Sequence, residues 1–133
     1  MKILIATDTY YPDVNGAAYF TYRLATSLAK RGHNVFVMCP SRSFKNTVSN
    51  DNGVTVYGIR SIHILVYKDF RISPLFISGV IRRAVKEISP DIVHIQNHFL
   101  IGKEALSAAK KFGIPVMGTN HFMPENLVHY LHL

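Results

Sequence analysis

Two places in this chain of 133 residues combine residue types and spacing that could do chemistry. The first is Asn15-Gly16, which stands directly before a segment with helical apolar periodicity that begins at Ala17. A glycine there lets a ligand approach the free N–H groups and the positive dipole end of a helix, which suits a phosphate, and Asn15 could add a donor. By itself, Asn-Gly in that position is equally a plain turn. The second is Thr119-Asn120-His121, where a short apolar run ends. An imidazole on that rim either faces a ligand or is bonded to a backbone carbonyl.

Other chemistries find no support. G-x-G-x-x-G is absent, and the second apolar run passes into Met38-Cys39-Pro40-Ser41 without an acidic partner for a ribose, which disfavours a nicotinamide cofactor. There is no G-x-x-x-x-G-K-[ST] either. Of the seven histidines, His94 and His98 lie roughly 13 Å apart along an extended chain and cannot share a metal unless the chain turns sharply. His129 and His132 are helically spaced, but no Cys or close carboxylate completes a set, so no metal site is expected. Cys39 is the single cysteine, which excludes an internal disulfide; its apolar context predicts a buried thiol and a reducing compartment.

These candidates need elements to hold them. Lys2–Asp8 is a short, nearly continuous apolar run of the kind a parallel strand buried on both faces requires. A loop with Pro12 and Asn15-Gly16 follows. The spacing of Phe20, Leu24 and Leu28, with Lys30-Arg31 and Gly32 at the end, predicts a helix from Ala17 to Arg31. Val35–Cys39 is a second buried strand, so the first forty residues specify a right-handed crossover. Ser41–Gly53 is polar and reads as an exposed loop before a strand over Val54–Arg60. Further on, the pattern predicts a helix over Pro74–Ile88, a strand over Ile92–Gln96, a helix over Glu104–Phe112 and a strand over Val116–Thr119. A helical pattern restarts at Pro124 and continues to Leu133. Five strands and three crossing helices make an α/β doubly wound parallel sheet of Rossmann-like type. Ligands of such sheets bind beyond the carboxyl ends of the strands, so the rim is formed by 8–16, 39–42, 97–102 and 119–125. The apolar helix face at the end, His129–Leu133, has no following strand to cover it, and this predicts a truncated domain.

The formal charge is +7, and ten of the fifteen Lys and Arg residues fall between Lys30 and Lys86. Such a middle suits an anionic partner, whether a phosphorylated molecule, an acidic membrane surface or nucleic acid, and is equally a solvated basic face. Nucleic acid is ranked last, for want of a recognition motif or stacking platform. Met1–Ala6 is too short and is interrupted too soon by Asp8 for a signal peptide or spanning helix, which predicts a cytoplasmic protein.

Three ordered stretches, KILIATDTYYPDVNGAAYFTYRLATSLAKRGHNVFVMCPS, PDIVHIQNHFLIG and KKFGIPVMGTNHFMPENL, strongly resemble the N-terminal domain of family 4 glycosyltransferases of the GT-B fold. The resemblance covers almost the whole chain and is weakest over 41–72; the His-Phe-Met-Pro-Glu-Asn-Leu string looks like members that glycosylate diacylglycerol or related acceptors. It implies that residues 1–133 are the acceptor-side Rossmann-like domain of a retaining, metal-independent enzyme, with the C-terminal nucleotide-sugar domain, which carries a Glu-x₇-Glu motif, lying outside this sequence. The donor would be a nucleotide sugar such as a UDP-sugar, with no further cofactor. The resemblance further implies that Gly16, with Asn15 where many members have a second glycine, contacts the donor diphosphate and that His121 lies beside the transferred sugar. His98, Asn120, Glu125 and Asn126 would serve the acceptor. The basic helix and the segment before it resemble the region through which lipid-modifying members touch membranes, here with Lys68, Arg71, Arg82 and Arg83, which places the protein peripherally on the inner face of the cell membrane. A non-catalytic α/β module that binds an anionic lipid or phosphorylated ligand is the alternative.

Overall fold

In the computed structural model, the described residues are 1–11, 15–43, 45–60, 62–64, 67–72, 78–96 and 100–119. Eight strands and three helices occur in the order β1 (Lys2–Ala6), α1 (Gly16–Lys30), β2 (Asn34–Pro40), β3 (Thr47–Asp51), β4 (Val54–Ile59), β5 (Ile62–Ile64), β6 (Tyr67–Ile72), α2 (Ser78–Ile88), β7 (Ile92–Ile95), α3 (Leu100–Phe112) and β8 (Val116–Gly118). Six strands form one sheet in the order β3-β4-β2-β1-β7-β8. Every pairing in it is parallel except β3 with β4.

β1 is central because it is apolar on both faces. Leu4, Ile5 and Ala6 are fully buried, Leu4 and Ala6 against the α2 and α3 side and Ile3 and Ile5 against the α1 side. From β1 the chain winds through α1 to β2 on one side, and β7 and β8 extend the sheet on the other. The connections therefore diverge between β1 and β7, the topological switch point at which such sheets open a crevice.

α1 and α3 are stopped in the same way. Gly32 and Gly113 take positive φ, 93° and 68°. The N–H of Gly32 donates to the Ala29 carbonyl and that of His33 to the Leu28 carbonyl; Gly113 and Ile114 repeat the pattern on Lys110 and Ala109. This double closure satisfies carbonyls that a helix end leaves free, and only glycine enters that backbone region without strain.

The sequence expectation holds for β1, α1, β2, β4, α2, β7 and β8, is corrected at β3 and at the start of α3, and is extended by β5 and β6. The predicted loop 41–53 contains β3, paired antiparallel with β4 through a tight Asn52-Gly53 turn in which both residues have positive φ. Residues 62–64 and 67–72, for which the sequence reading named no element, form an antiparallel pair, β5 with β6. α3 begins at Leu100, not Glu104, for a reason given below. The expected helix start at Pro74 and the expected helix 124–133 lie outside the described residues. Cys39 is buried and in no disulfide among the described residues, as read from its context. Among the described residues, no helix is long and apolar enough to cross a membrane.

Candidate functional site

The carboxyl end of β1 continues as Thr7, Asp8, Thr9 and Tyr10, all buried. Polar residues at that depth are held by local bonds: the Thr7 hydroxyl donates to the Thr9 carbonyl and accepts from the Thr9 N–H. Tyr10 is buried on the α1 side. Burial, with Cys39, Asp51 and Tyr22 adding to it, pushes its phenol far above the usual tyrosine range, so it stays neutral at any physiological pH.

Two helix N-termini open near this strand end, and the chain treats them differently. At α3, the Asp8 carboxylate accepts the N–H of Ile101 at 2.7 Å and of Gly102 at 3.4 Å. A residue some ninety positions upstream thus supplies the cap, and with those donors satisfied the helix begins a turn earlier than its local sequence suggests. The carboxylate, 2% exposed, also opposes the positive dipole end, so α3 has little left to offer an anion.

At α1, Asn15 is the N-cap: its side-chain oxygen accepts the Ala18 N–H at 2.8 Å, while its amide nitrogen donates to the Thr9 hydroxyl at 2.8 Å. Both ends of the carboxamide are engaged, one on the helix and the other on the β1 extension, so Asn15 fixes the turn. The first turn contains no acidic residue. Among the described residues no acceptor meets the N–H of Gly16 or Ala17, and a β-carbon placed on Gly16 would meet nothing within 4 Å. Gly16 does not have positive φ. Among the described residues, neither backbone conformation nor packing requires a glycine here, and none of them covers the two N–H groups at this positive helix end.

Across the switch point, β7 and β8 carry a second polar group. The Gln96 side-chain nitrogen lies 3.1 Å from His94 Nε2, and the Thr119 hydroxyl also bonds that nitrogen. The Gln96 amide nitrogen can only donate, so His94 Nε2 is its acceptor. The Thr119 N–H donates to the Ile95 carbonyl and the Gln96 N–H to the Ala6 carbonyl, so both side chains rise from paired backbone at the rim. Sequence reading did not single out Asp8 and did not join His94, Gln96 and Thr119 into one group; a lone carboxylate directly after a buried strand was the available signal for Asp8.

Of the site residues expected from the sequence, Asn15 and Gly16 lie together at the α1 turn. His98, Asn120, His121, Glu125 and Asn126 lie outside the described residues. Arg82 and Arg83 are exposed on α2, while Ile81, Ala84, Val85 and Ile88 of the same helix are buried in the core, so the helix offers charge but not its apolar face. Lys68 and Arg71 fall on β6, whose backbone alone is described. Among the described residues, no three His, Cys, Asp or Glu side chains converge.

The role given to Asp8 has a measurable consequence. Asp8→Ala leaves two helix N–H groups without their acceptor and is expected to destabilise the fold by about 2–3 kcal/mol. Equilibrium urea unfolding measures this. A loss below about 0.5 kcal/mol, the usual scatter of neutral surface changes, contradicts the capping role.

Comparison with known proteins bears on the family and the fold. The profile described as Glycosyltransferase Family 4 matches residues 14–133. The alpha-monoglucosyldiacylglycerol synthase of Streptococcus pneumoniae is 33% identical over 131 residues, which is 98% of this chain and 29% of that protein. The GDP-mannose-dependent alpha-mannosyltransferase of Corynebacterium glutamicum is 25% identical over 118 residues, 88% of this chain and 28% of that protein. The chain thus spans less than a third of the length of either relative. Among solved structures, a sucrose-phosphate synthase from Thermosynechococcus elongatus superposes with a TM-score of 0.65 at 12% identity, over 97% of this chain and 35% of that one; this likeness concerns the fold.

Proposed function

The chain belongs to glycosyltransferase family 4, and from that membership we propose that it forms one wall of the cleft of an enzyme that transfers a sugar from a nucleotide-sugar donor to a hydroxyl acceptor. The observation that carries this reading is the α1 turn, where, among the described residues, a glycine required by neither φ nor packing leaves two N–H groups without an acceptor at a helix N-terminus whose first turn holds no acidic residue. As the bond between sugar and diphosphate breaks, negative charge grows on the leaving phosphate. Fixed N–H dipoles stabilise that charge without having to reorganise. His121, two residues beyond the anchored Thr119, stands beside the transferred sugar, with His98, Asn120, Glu125 and Asn126 on the acceptor side. The transfer retains configuration and uses no metal, as the family resemblance implies.

The acceptor is a membrane lipid such as diacylglycerol. The name of the Streptococcus pneumoniae relative supports this choice, as does the net charge of +7. In this reading the protein is cytoplasmic and peripheral, held on the inner face of the cell membrane by Lys68, Arg71, Arg82 and Arg83. The test of the activity is transfer by the full-length protein that carries this sequence, supplied with radiolabelled UDP-glucose or GDP-mannose and diacylglycerol in vesicles. A labelled glycolipid supports the proposal; label that appears only in free sugar contradicts it.

Membrane attachment has its own readout. A basic residue near an anionic surface contributes about 1 kcal/mol. Reversing both exposed arginines, Arg82→Glu with Arg83→Glu, is therefore expected to lower partition onto phosphatidylglycerol vesicles by at least thirtyfold, roughly what 2 kcal/mol corresponds to. Binding to zwitterionic vesicles should change little. Equal sedimentation of variant and parent with anionic vesicles removes these two residues from the contact.

A further inference from the structure

A hollow of about 450 Å³ lies on the α1 side of the sheet, at the carboxyl ends of β2 and β4. Its volume is within the range of small-ligand sites, roughly 300–1,000 Å³. The floor is Cys39, Val56 and the Gly58 backbone. A β-carbon on Gly58 would press on the Thr47 hydroxyl and come within 3.2 Å of the Ser41 Cα, so glycine is what lets β3 and the 41–43 turn draw in around this space.

The walls differ in chemistry. On one side stand Tyr10 and Tyr11. Tyr11 is 47% exposed and stacked on Tyr22 with ring centroids 4.5 Å apart and planes 27° apart, while Tyr10 meets Tyr22 at 6.0 Å. The Asn52 side-chain amide donates to the Tyr22 hydroxyl at 2.9 Å, so this aromatic wall is braced from behind. On the other side are Ser41, Arg42 and Ser43, with Thr47, Ser49 and Asp51 of β3. Strand alternation puts those last three on one face, whereas Val48 borders a separate hollow with Val80 and Ala84 on the α2 side.

The edge strand therefore presents hydroxyls and a carboxylate inward. These groups would lose water to an acyl chain and regain no hydrogen bonds, which favours a ligand polar at its edge, while most of the remaining lining is apolar. One guanidinium and one carboxylate balance each other, which also disfavours a phosphate. A braced aromatic face opposite hydroxyls, a carboxylate and a guanidinium suits a flat ring that carries C–H groups on its face and hydroxyls around its edge. We propose that this hollow binds a neutral polyhydroxylated six-membered ring, a pyranose or a cyclitol, at a site separate from the α1 turn. The inference goes beyond the donor reading and does not depend on it.

Saturation-transfer NMR on the full-length protein, with methyl α-glucopyranoside and myo-inositol as separate probes and inorganic phosphate as the control, tests it. At least one neutral ring is expected to bind with a dissociation constant on the order of millimolar. Tyr11→Ala and Asp51→Asn should each weaken it about tenfold, roughly the effect of losing one good contact. Asp51 is exposed, so the second variant reads the site even if the first disturbs its loop. Gly16→Val should leave this binding intact. Whichever ring binds tighter identifies the source. Three results each overturn the proposal: no binding of either ring, binding unchanged in both variants, and binding abolished by Gly16→Val, which would put the ring at the donor turn.

Discussion

Gly16→Val in the full-length enzyme is expected to lower transfer by at least 10²-fold, on the order of 10³-fold, while unfolding at nearly the same temperature as the parent. The two halves of that expectation come from one observation. A β-carbon at position 16 meets nothing within 4 Å among the described residues and violates no backbone constraint, so the fold is expected to tolerate it. The same open space is what the diphosphate would occupy, and a branched side chain there holds the phosphate away from the Gly16 and Ala17 N–H groups. Removing a single pre-aligned donor from a developing anion commonly costs 10²–10³ in rate, and this substitution blocks two. Gly16→Ala, which adds one methyl group, should fall between parent and valine. If Gly16→Val lost activity only in proportion to lost folded protein, the glycine would be structural and the turn would not be a phosphate site.

His121→Ala is the second large effect, expected at about 10²-fold or more in kcat with the fold retained. Its size follows from the proposed position beside the transferred sugar, where a lost contact misplaces the reacting atoms and a shift on the order of 1 Å can cost about 10²-fold. The preceding network matters to its interpretation. Thr119 is bonded through its N–H to Ile95 and through its hydroxyl to His94, so the chain is anchored two residues before position 121. Steady-state kinetics with the nucleotide sugar as varied substrate measure the loss. An unchanged kcat would make the imidazole structural, the other reading the sequence leaves open.

The legible parts of the fold were those whose signal is local. β1, α1 and β2 follow from an apolar run, a 3.6-residue apolar period and a glycine stop, each visible within a dozen residues. β3 was not legible as a strand because its five residues, Thr47–Asp51, are all exposed and mostly polar, so no apolar alternation marks it. The Asn52-Gly53 pair just before the apolar Val54 was the signal that reading passed over. The start of α3 was misplaced because its cap is Asp8, distant in sequence, and no window over residues 97–104 contains that information. The site divides similarly. Gly16 stood out because a helix start can be read locally, and His121 because it follows the end of a short apolar run, its role beside the sugar coming from the family resemblance. By contrast, Asp8 and the trio of His94, Gln96 and Thr119 acquire meaning only once β1, β7 and β8 lie side by side.

Asp8 and Asn15 together explain why one helix N-terminus and not the other is proposed for the donor. The first neutralises α3 and the second orders α1 without covering its leading N–H groups. The most direct measurement of this claim is a crystal structure of the full-length protein with a bound nucleotide sugar or nucleoside diphosphate. The account predicts phosphate oxygens about 3 Å from the N–H groups of Gly16 and Ala17. A diphosphate seated elsewhere, at the α3 N-terminus or in the hollow over β4, with the α1 turn untouched, would contradict it.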